Sequence, residues 1–507
     1  MTNSVNSPLR IEAVKLPGGG EIGMICPGKK IDDSDRDLEA DIQAIAKWGA
    51  AAVVTLIEDE EFRLLRVPNL GAAIEEAGME WHHLPIRDVY IPNQHFENLW
   101  VYSGHRLRGA LAVGRKVLVH CRGGLGRSGM IAARLLVEMG EEPKEAIRRV
   151  RSARPGTIET SKQEEHVLKA APPRADAKLL DRILGCLLGG AVGDAMGYAV
   201  EFYKWPQIKA RFGAAGIAEP VVNNGKINVS DDTQMTLFTL EGLVRSKRAL
   251  ERHDLESIIS NIRLAYLDWL DTQGEHGGNW KPAGAIAKDS RLRRQRGPGN
   301  TCLSALRNGG NGSIENPLND SKGCGGVMRV APIGLLAGWR PAEAAELAAR
   351  AAALTHDHYS GYLSAGAMAA ILRIALDGTE LAEAARQGGE IISGRKGAED
   401  TVGGIDSALT ASRGHNPDHR ETIGSLGEGG WFGDDALSIG LYSALAGQSF
   451  PQVLSIAANH DGDSDSTAAI AGQLYGASHG LADLPNVWIR RLDVLDILLG
   501  LVRQTFV

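Results

Sequence analysis

The run His120-Cys121-Arg122-Gly123-Gly124-Leu125-Gly126-Arg127-Ser128 places a nucleophilic side chain and a guanidinium at opposite ends of one glycine-rich loop. Glycines let the backbone curl so that successive N–H groups point inward, and a helix after the loop adds the partial positive charge of its N-terminus. Such a loop holds phosphate, with Arg122, Gly123, Gly124, Leu125 and Gly126 as its binding residues. The same field favours Cys121 as the thiolate, while the planar fork of Arg127 matches phosphate oxygens. The competing reading of Cys121 is a buried structural thiol.

Two acidic runs stand far from this loop and from each other: Ser230-Asp231-Asp232-Thr233 and Asp461-Gly462-Asp463-Ser464-Asp465-Ser466-Thr467. Neighbouring carboxylates repel, so packing them together calls for a cation or a helix N-terminus. Oxygen ligands of this kind select magnesium, manganese or calcium over zinc. If the runs converge, their carboxylates and hydroxyls can hold two ions, magnesium first and manganese as the substitute. Taken singly, each run also reads as a helix N-cap.

The elements that would position these residues alternate along the first third of the chain. A helix carrying Leu38, Ile42 and Ile45 stops near Gly49, before the strand-like run Ala51 to Ile57. A strand at Trp81 to Ile86 leads into a loop holding Asp88, a helix spans about 97–113, and the strand Lys116 to His120 feeds the glycine loop. After that loop, Met130 to Met139 reads as a helix. This alternation predicts an α/β sheet with flanking helices over 1–170. Residues 171–177 carry prolines and no apolar periodicity, which makes them the linker. From 178 to 507 the pattern is helical, as in Pro341 to Leu354 and Ser360 to Leu376, and predicts an all-α domain.

Composition sets the outer limits. A chain of 507 residues exceeds one ordinary core, and its 62 glycines imply many turns and close backbone approaches. The formal net charge of −7 argues against bulk nucleic-acid binding. The cluster Arg291, Arg293, Arg294 and Arg296 reads as a solvated loop. The 5 cysteines lack C-x-x-C spacing, which fits a reducing cytoplasm better than a disulfide framework. No apolar run reaches the length of a membrane span, and the N-terminus does not read as a signal peptide.

The loop His120-Cys121-x5-Arg127-Ser128 resembles the signature of protein tyrosine and dual-specificity phosphatases. That resemblance implies a phosphocysteine on Cys121, phosphoryl binding by Arg127, help from Ser128 as the thiolate leaves, and Asp88 as the acid for the leaving oxygen. Asp88 also reads as a solvated turn residue.

The acidic runs, together with Gly189-Gly190-Ala191-Val192-Gly193-Asp194-Ala195-Met196-Gly197 followed by Glu201, and Ser321-Lys322-Gly323-Cys324-Gly325-Gly326-Val327-Met328-Arg329, resemble the ADP-ribosylglycohydrolase superfamily. The resemblance implies a binuclear magnesium centre held by Ser230, Asp231, Asp232, Asp463, Asp465 and Ser466, with Glu201 or Asp232 assisting proton transfer. It also implies a diphosphate-wrapping loop of Ser321, Lys322, Gly323, Cys324 and Gly325, substrate contact by His356, and an adenosine side near Gly299, Asn300 and Thr301. Cys324 stands where some relatives carry asparagine and reads as a lining residue; Asp194 reads as a structural cap or a site residue.

The expected partners are an ADP-ribosylated protein or other ADP-ribosyl substrate and a phosphorylated substrate. Two alternatives stand beside a bifunctional hydrolase: both domains process one phosphorylated ADP-ribose, or the first domain binds phosphate without turnover.

Overall fold

The computed structural model describes residues 4, 9–25, 27–28, 35–275, 280–414 and 418–507. The chain divides into two compact units, Met1–Arg174 and Ala175–Phe506. Residues 170–176 lie in neither helix nor strand. Residue 177, read from the sequence as linker, is instead the first residue of the helix Ala177–Tyr198, because Asp176 caps it by accepting from the Leu179 N–H.

The first unit is built on β1 (Glu12–Lys15), β2 (Glu21–Ile25), β3 (Ala50–Thr55), β4 (Glu80–His83) and β5 (Lys116–His120), in the order β1-β2-β5-β3-β4. Only β1 runs antiparallel to its neighbour. Parallel neighbours need crossovers, and helices such as Leu38–Trp48 and Gln94–Ala112 supply them. The first of these starts at Asp37, whose side chain accepts from the Ala40 N–H, and stops at Gly49, whose φ of 91° suits a residue without a Cβ. Val53, Val54, Val117, Leu118 and Val119 are fully buried. The middle strands are covered on both faces, which is why they read as unbroken apolar runs.

Several boundaries depart from the sequence reading: the helix expected over about 97–113 spans Gln94–Ala112, and the strand expected to reach Ile57 ends at Thr55. The strand expected to reach Ile86 leaves the ladder after His83, with Leu84 and Ile86 donating to the Thr55 and Leu56 carbonyls beyond it. The helix expected from Met130 begins at Gly126. Propensity hides that start because glycine is a poor helix former. Packing favours the second of these glycines: a Cβ on Gly129 would lie 2.6 Å from Thr157 Cβ and 3.1 Å from the Ile158 backbone nitrogen, whereas one on Gly126 would meet only the movable ends of Glu159 and Gln163.

The second unit is helical apart from a short hairpin, Val222–Asn223 with Lys226–Ile227. Tyr359–Leu376 is apolar and long enough to cross a membrane, yet Ser360 to Leu376 are all buried inside the unit. Helices Ala177–Tyr198 and Ser464–His479 run against each other with almost no side chain between them. Gly185, Gly189, Gly193 and Gly197, spaced four apart and therefore on one helix face, meet Gly476, Gly472, Ala468 and Ser464 in turn. A Cβ on Gly189 would lie 2.5 Å from the Gly472 carbonyl oxygen, and at the other three positions it would collide with backbone. The stripe also aligns the end of one helix with the start of the other, which brings Glu201 toward Asp463 and Asp465.

The arginine cluster lies in a loop, as read, with Arg293 and Arg294 exposed and Arg296 buried. Arg291 pairs with Asp289 and Asp496, Arg293 with Asp271, and Arg296 with Asp493. These pairs fasten the 289–296 segment to neighbouring helices.

Candidate active sites

In the first unit, β5 runs into Cys121, and the loop closes at the N-terminus of the helix Gly126–Glu138, whose N-cap residue Leu125 supplies no side-chain cap. Gly124 has a φ of +66°, and a Cβ there would lie 2.8 Å from the Ile25 carbonyl carbon. Cys121 is buried, while Arg122 and Gly123 are exposed. Ser128 Oγ and Arg127 Nε are buried without a hydrogen-bond partner. Unmatched donors on a glycine loop are what an anion such as phosphate would satisfy.

Arg127 is held more firmly than the sequence indicated. Its Nη1 donates to Glu61 Oε2 at 2.6 Å and to the Ile86 carbonyl at 2.9 Å, and its Nη2 donates to Glu61 Oε1 at 2.8 Å. Burial alone would raise the Glu61 pKa, but the bonds from Arg127 and from the Glu58 backbone bring it below the ordinary value. Sequence reasoning missed Glu61, because its local pattern is that of a capping-box residue in the helix Asp59–Leu64. Asp88 comes to the same guanidinium, with Oδ1 3.0 Å from Arg127 Nη2 and 54% of its side chain exposed. The next residue, Val89, has a φ of 59°, a strained conformation for a β-branched residue.

Behind the cysteine, Thr55 Oγ1 accepts from the Trp81 indole N–H at 2.8 Å and shares a 2.8 Å hydrogen bond with His120 Nε2. Burial lowers the His120 pKa to about 3, so the ring is neutral. A side chain on each of three adjacent strands thus fixes the ring next to Cys121.

In the second unit the two acidic runs converge. One carboxylate oxygen each from Asp231, Asp232 and Asp465 lie within 4.8 Å of one another, and so do oxygens from Glu201, Asp463 and Asp465. Asp465 belongs to both groups. Burial and mutual repulsion push Asp231, Asp232 and Asp465 well above the usual carboxylate range, and burial followed by the charges of Asp463 and Asp231 takes Glu201 to about 8. Asp232 Oδ2 and Glu201 Oε2 are buried and unpartnered. Buried carboxylates this close together call for compensating positive charge, and an all-oxygen donor set suits a hard cation.

Both acidic runs are also helix caps. Ser230 accepts from the Asp232 N–H at 3.2 Å, and the Asp463 side chain accepts from the Ser466 N–H. Asp194, inside the helix Ala177–Tyr198, caps the neighbouring helix Asp231–Arg245: it accepts from the Ser230 and Thr233 N–H groups and from the Thr233 hydroxyl. Burial raises its pKa to about 6 against those bonds. Gly299 reaches the centre directly, its N–H donating to Asp231 Oδ2 at 3.3 Å, and Thr301 Oγ1 lies 3.2 Å from Ser321 Oγ.

The 321–326 loop differs from the expected diphosphate cradle. The Gly323 N–H donates to Ser321 Oγ and the Cys324 N–H to the Trp431 carbonyl, while the Lys322 carbonyl accepts from Gly433. Two of the expected phosphate donors are therefore already engaged. His356 is buried beneath the loop, where burial lowers its pKa to about 3 and Thr355 Oγ1 lies 2.8 Å from Nδ1. A Cβ on Gly325 would sit 2.8 Å from the His356 ring, so the histidine supports the loop from below. Cys324 faces the acidic centre, with Sγ 2.8 Å from Asp463 Oδ2.

Residues 14–147 match the family model of cyclin-dependent kinase inhibitor 3. Over 140 residues the chain is 35% identical to a cyclin-dependent kinase inhibitor 3 of Rattus norvegicus, covering 27% of this chain and 65% of the relative; it thus spans just under two thirds of that protein. Over 321 residues it is 26% identical to the ADP-ribosyl-(dinitrogen reductase) glycohydrolase of Rhodospirillum rubrum, covering 62% of this chain and 91% of the relative. A solved ADP-ribosylglycohydrolase-related protein is 24% identical, covering 65% of this chain and 99% of its own, with a TM-score of 0.41. The first unit is phosphatase-like. Residues 175–506, well over half the chain, match the ADP-ribosylglycohydrolase model, and the chain belongs to the ADP-ribosylglycohydrolase family.

Proposed function

We propose that the chain is a bifunctional hydrolase that removes ADP-ribose from a modified target in its second unit, with magnesium, and hydrolyses a phosphate monoester in its first. The observation that carries the reading is the meeting of two distant acidic runs in one buried cluster with unpartnered carboxylate oxygens on Asp232 and Glu201.

Asp231, Asp232, Asp463, Asp465 and Glu201, with the Ser230 and Ser466 hydroxyls, would hold two magnesium ions. Held there, the ions would supply positive charge that lowers the pKa of bound water. The protein's own residues orient and exchange protons. Glu201 Oε2 accepts a proton of the water that attacks the anomeric carbon as the bond from that carbon to the target's linking atom breaks, and that proton passes on to the departing target, while the Gly299 N–H holds Asp231 in place. The 321–326 loop, braced by His356, walls the cleft.

In the first unit Cys121 Sγ attacks phosphorus as the bond to the leaving oxygen breaks, and Asp88 gives that oxygen its proton. Arg127 Nε and the loop N–H groups bind the phosphoryl oxygens. Water then attacks phosphorus, returns a proton to Asp88 and frees the thiolate, with Ser128 Oγ donating to it.

The test is release of ADP-ribose from arginine- and serine-linked ADP-ribosyl peptides, with magnesium or chelator, by the intact chain and by Asp463→Ala. Magnesium-dependent release lost in the variant supports the reading, and no release from either peptide removes protein de-ADP-ribosylation. A generic aryl phosphate, with Cys121→Ser as control, tests the first unit in parallel; an aryl phosphate left intact by the unaltered chain would make that unit a binding module.

A further inference from the structure

The carboxylate centre has one wall that its hard-ligand chemistry does not account for. Cys324 Sγ lies 2.8 Å from Asp463 Oδ2. Ser466 Oγ, on the same wall, lies 3.6 Å from Cys324 Sγ and 3.8 Å from Met328 Sδ. Two sulfurs therefore border a cluster otherwise made of oxygen. Cys324 is partly exposed, whereas Cys121, Cys186 and Cys302 are buried. Its backbone is pinned by the bond to the Trp431 carbonyl, and Gly325 packs on the His356 ring, so the thiol is fixed toward the centre. Asp232 Oδ2, in the same cluster on a residue 3% exposed, has no hydrogen-bond partner, as expected of an oxygen turned toward a cation.

We propose that Cys324 is the sulfur donor of a soft-cation site overlapping the carboxylate centre, so that the cleft binds cadmium or zinc through Cys324 and Asp463 in competition with magnesium. The inference rests on the acidic cluster being a metal centre. Thiolate donors select soft and borderline cations, with zinc–sulfur distances of about 2.3 Å and zinc–oxygen distances of about 2.0–2.2 Å. A cation seated between Sγ and Oδ2 needs only a small widening of the gap. On binding, the S–H bond breaks, the sulfur lone pair forms the bond to the metal, and the proton leaves to solvent by way of Asp463 Oδ2. No electron is transferred. Soft cations would then stop glycoside hydrolysis by displacing the hard ion that shares Asp463.

The experiment uses the full chain carrying Cys121→Ser, which removes the phosphate-loop thiol, compared with Cys121→Ser/Cys324→Ser. Cadmium is titrated while the ultraviolet thiolate-to-cadmium band is recorded, and manganese binding is measured separately by paramagnetic water relaxation. The expected result is a cadmium band in the first protein that weakens in affinity by about tenfold or more in the second, with manganese affinity changed less than about threefold. An unchanged cadmium band in the double variant overturns the proposal. Absence of manganese binding in the first protein overturns the carboxylate centre itself, which is a separate failure. Should the double variant lose manganese as well, the Cys121→Ser protein decides alone: cadmium must protect Cys324 from iodoacetamide, read by peptide mass, and unprotected alkylation overturns the site.

Discussion

Gly197 and Ser464 approach so closely that a Cβ on the glycine would collide with the serine carbonyl oxygen. The contact lies at the end of one helix and the start of another, immediately beside Asp463 and Asp465 and a short step from Glu201. Glycine is required there by the neighbouring backbone rather than by its own φ.

That contact decides the sign of a substitution. Alanine in a helix interior ordinarily stabilises by about 0.5–1 kcal/mol over glycine, whereas overpacking costs about 1–3 kcal/mol. Gly193→Ala and Gly197→Ala should therefore destabilise the second unit by about 1–2 kcal/mol and weaken manganese binding. Gly403→Ala, in the helix Glu399–Ser412 with open space at its Cβ position, should stabilise. Thermal unfolding of the three variants checks the contrast.

The acidic centre gives a pH dependence opposite to that of most carboxylates. Asp194 and Glu201 are raised to about 6 and about 8, so the folded chain binds more protons than the unfolded one. Stability is then lost as pH rises from the ordinary carboxylate range toward the folded values. With chelator present, the melting temperature of the second unit should fall between about pH 5 and about pH 8.5. Saturating magnesium should remove most of the fall, and Glu201→Gln should reduce it.

Arg127 depends on Glu61 for its orientation. Glu61→Ala leaves a buried guanidinium without its bidentate partner, at a cost of about 3–5 kcal/mol. Glu61→Gln keeps one acceptor and should fold. Aryl-phosphate turnover by Glu61→Gln is expected to fall by roughly 100-fold, as for a catalytic group displaced by about 1 Å. Unchanged turnover would show that the loop alone orients Arg127.

The chain from Trp81 through Thr55 to His120 predicts that Thr55→Val, nearly the same shape without the hydroxyl, destabilises the first unit by about 1–3 kcal/mol. It should also slow alkylation of Cys121 by iodoacetamide at neutral pH, measured by peptide mass. Equal alkylation rates in the two proteins would limit Thr55 to a structural role.

The phosphate loop was legible because its nucleophile, glycines and guanidinium are contiguous, and the acidic runs were legible for the same reason. Glu61 was hidden because it meets Arg127, 66 residues on, beyond the C-terminal ends of two neighbouring strands, while its local pattern spells a helix start. The substrate contact of His356 came only from the family resemblance, because a histidine after Leu354-Thr355 carries no sign of depth; the fold adds that it lies buried beneath the 323–325 loop. The glycine excess announced close backbone approaches, but the partner of Gly185 through Gly197 lies near the other end of the unit. Asp194 divided evenly between cap and site because its receiving helix is not its own.

The pairing of Ala177–Tyr198 with Ser464–His479 has a consequence for how the molecule is made. One helix leaves the ribosome near the beginning of the second unit and the other near its end. With chains emerging at about 5–20 residues per second, the first strip of glycines waits many seconds for its partner. Until then Glu201 has neither Asp463 nor Asp465 beside it, and the acidic cluster does not yet exist. The acidic cluster of the second unit is therefore assembled late in synthesis, whereas the first unit has all its strands and Cys121 before that unit begins.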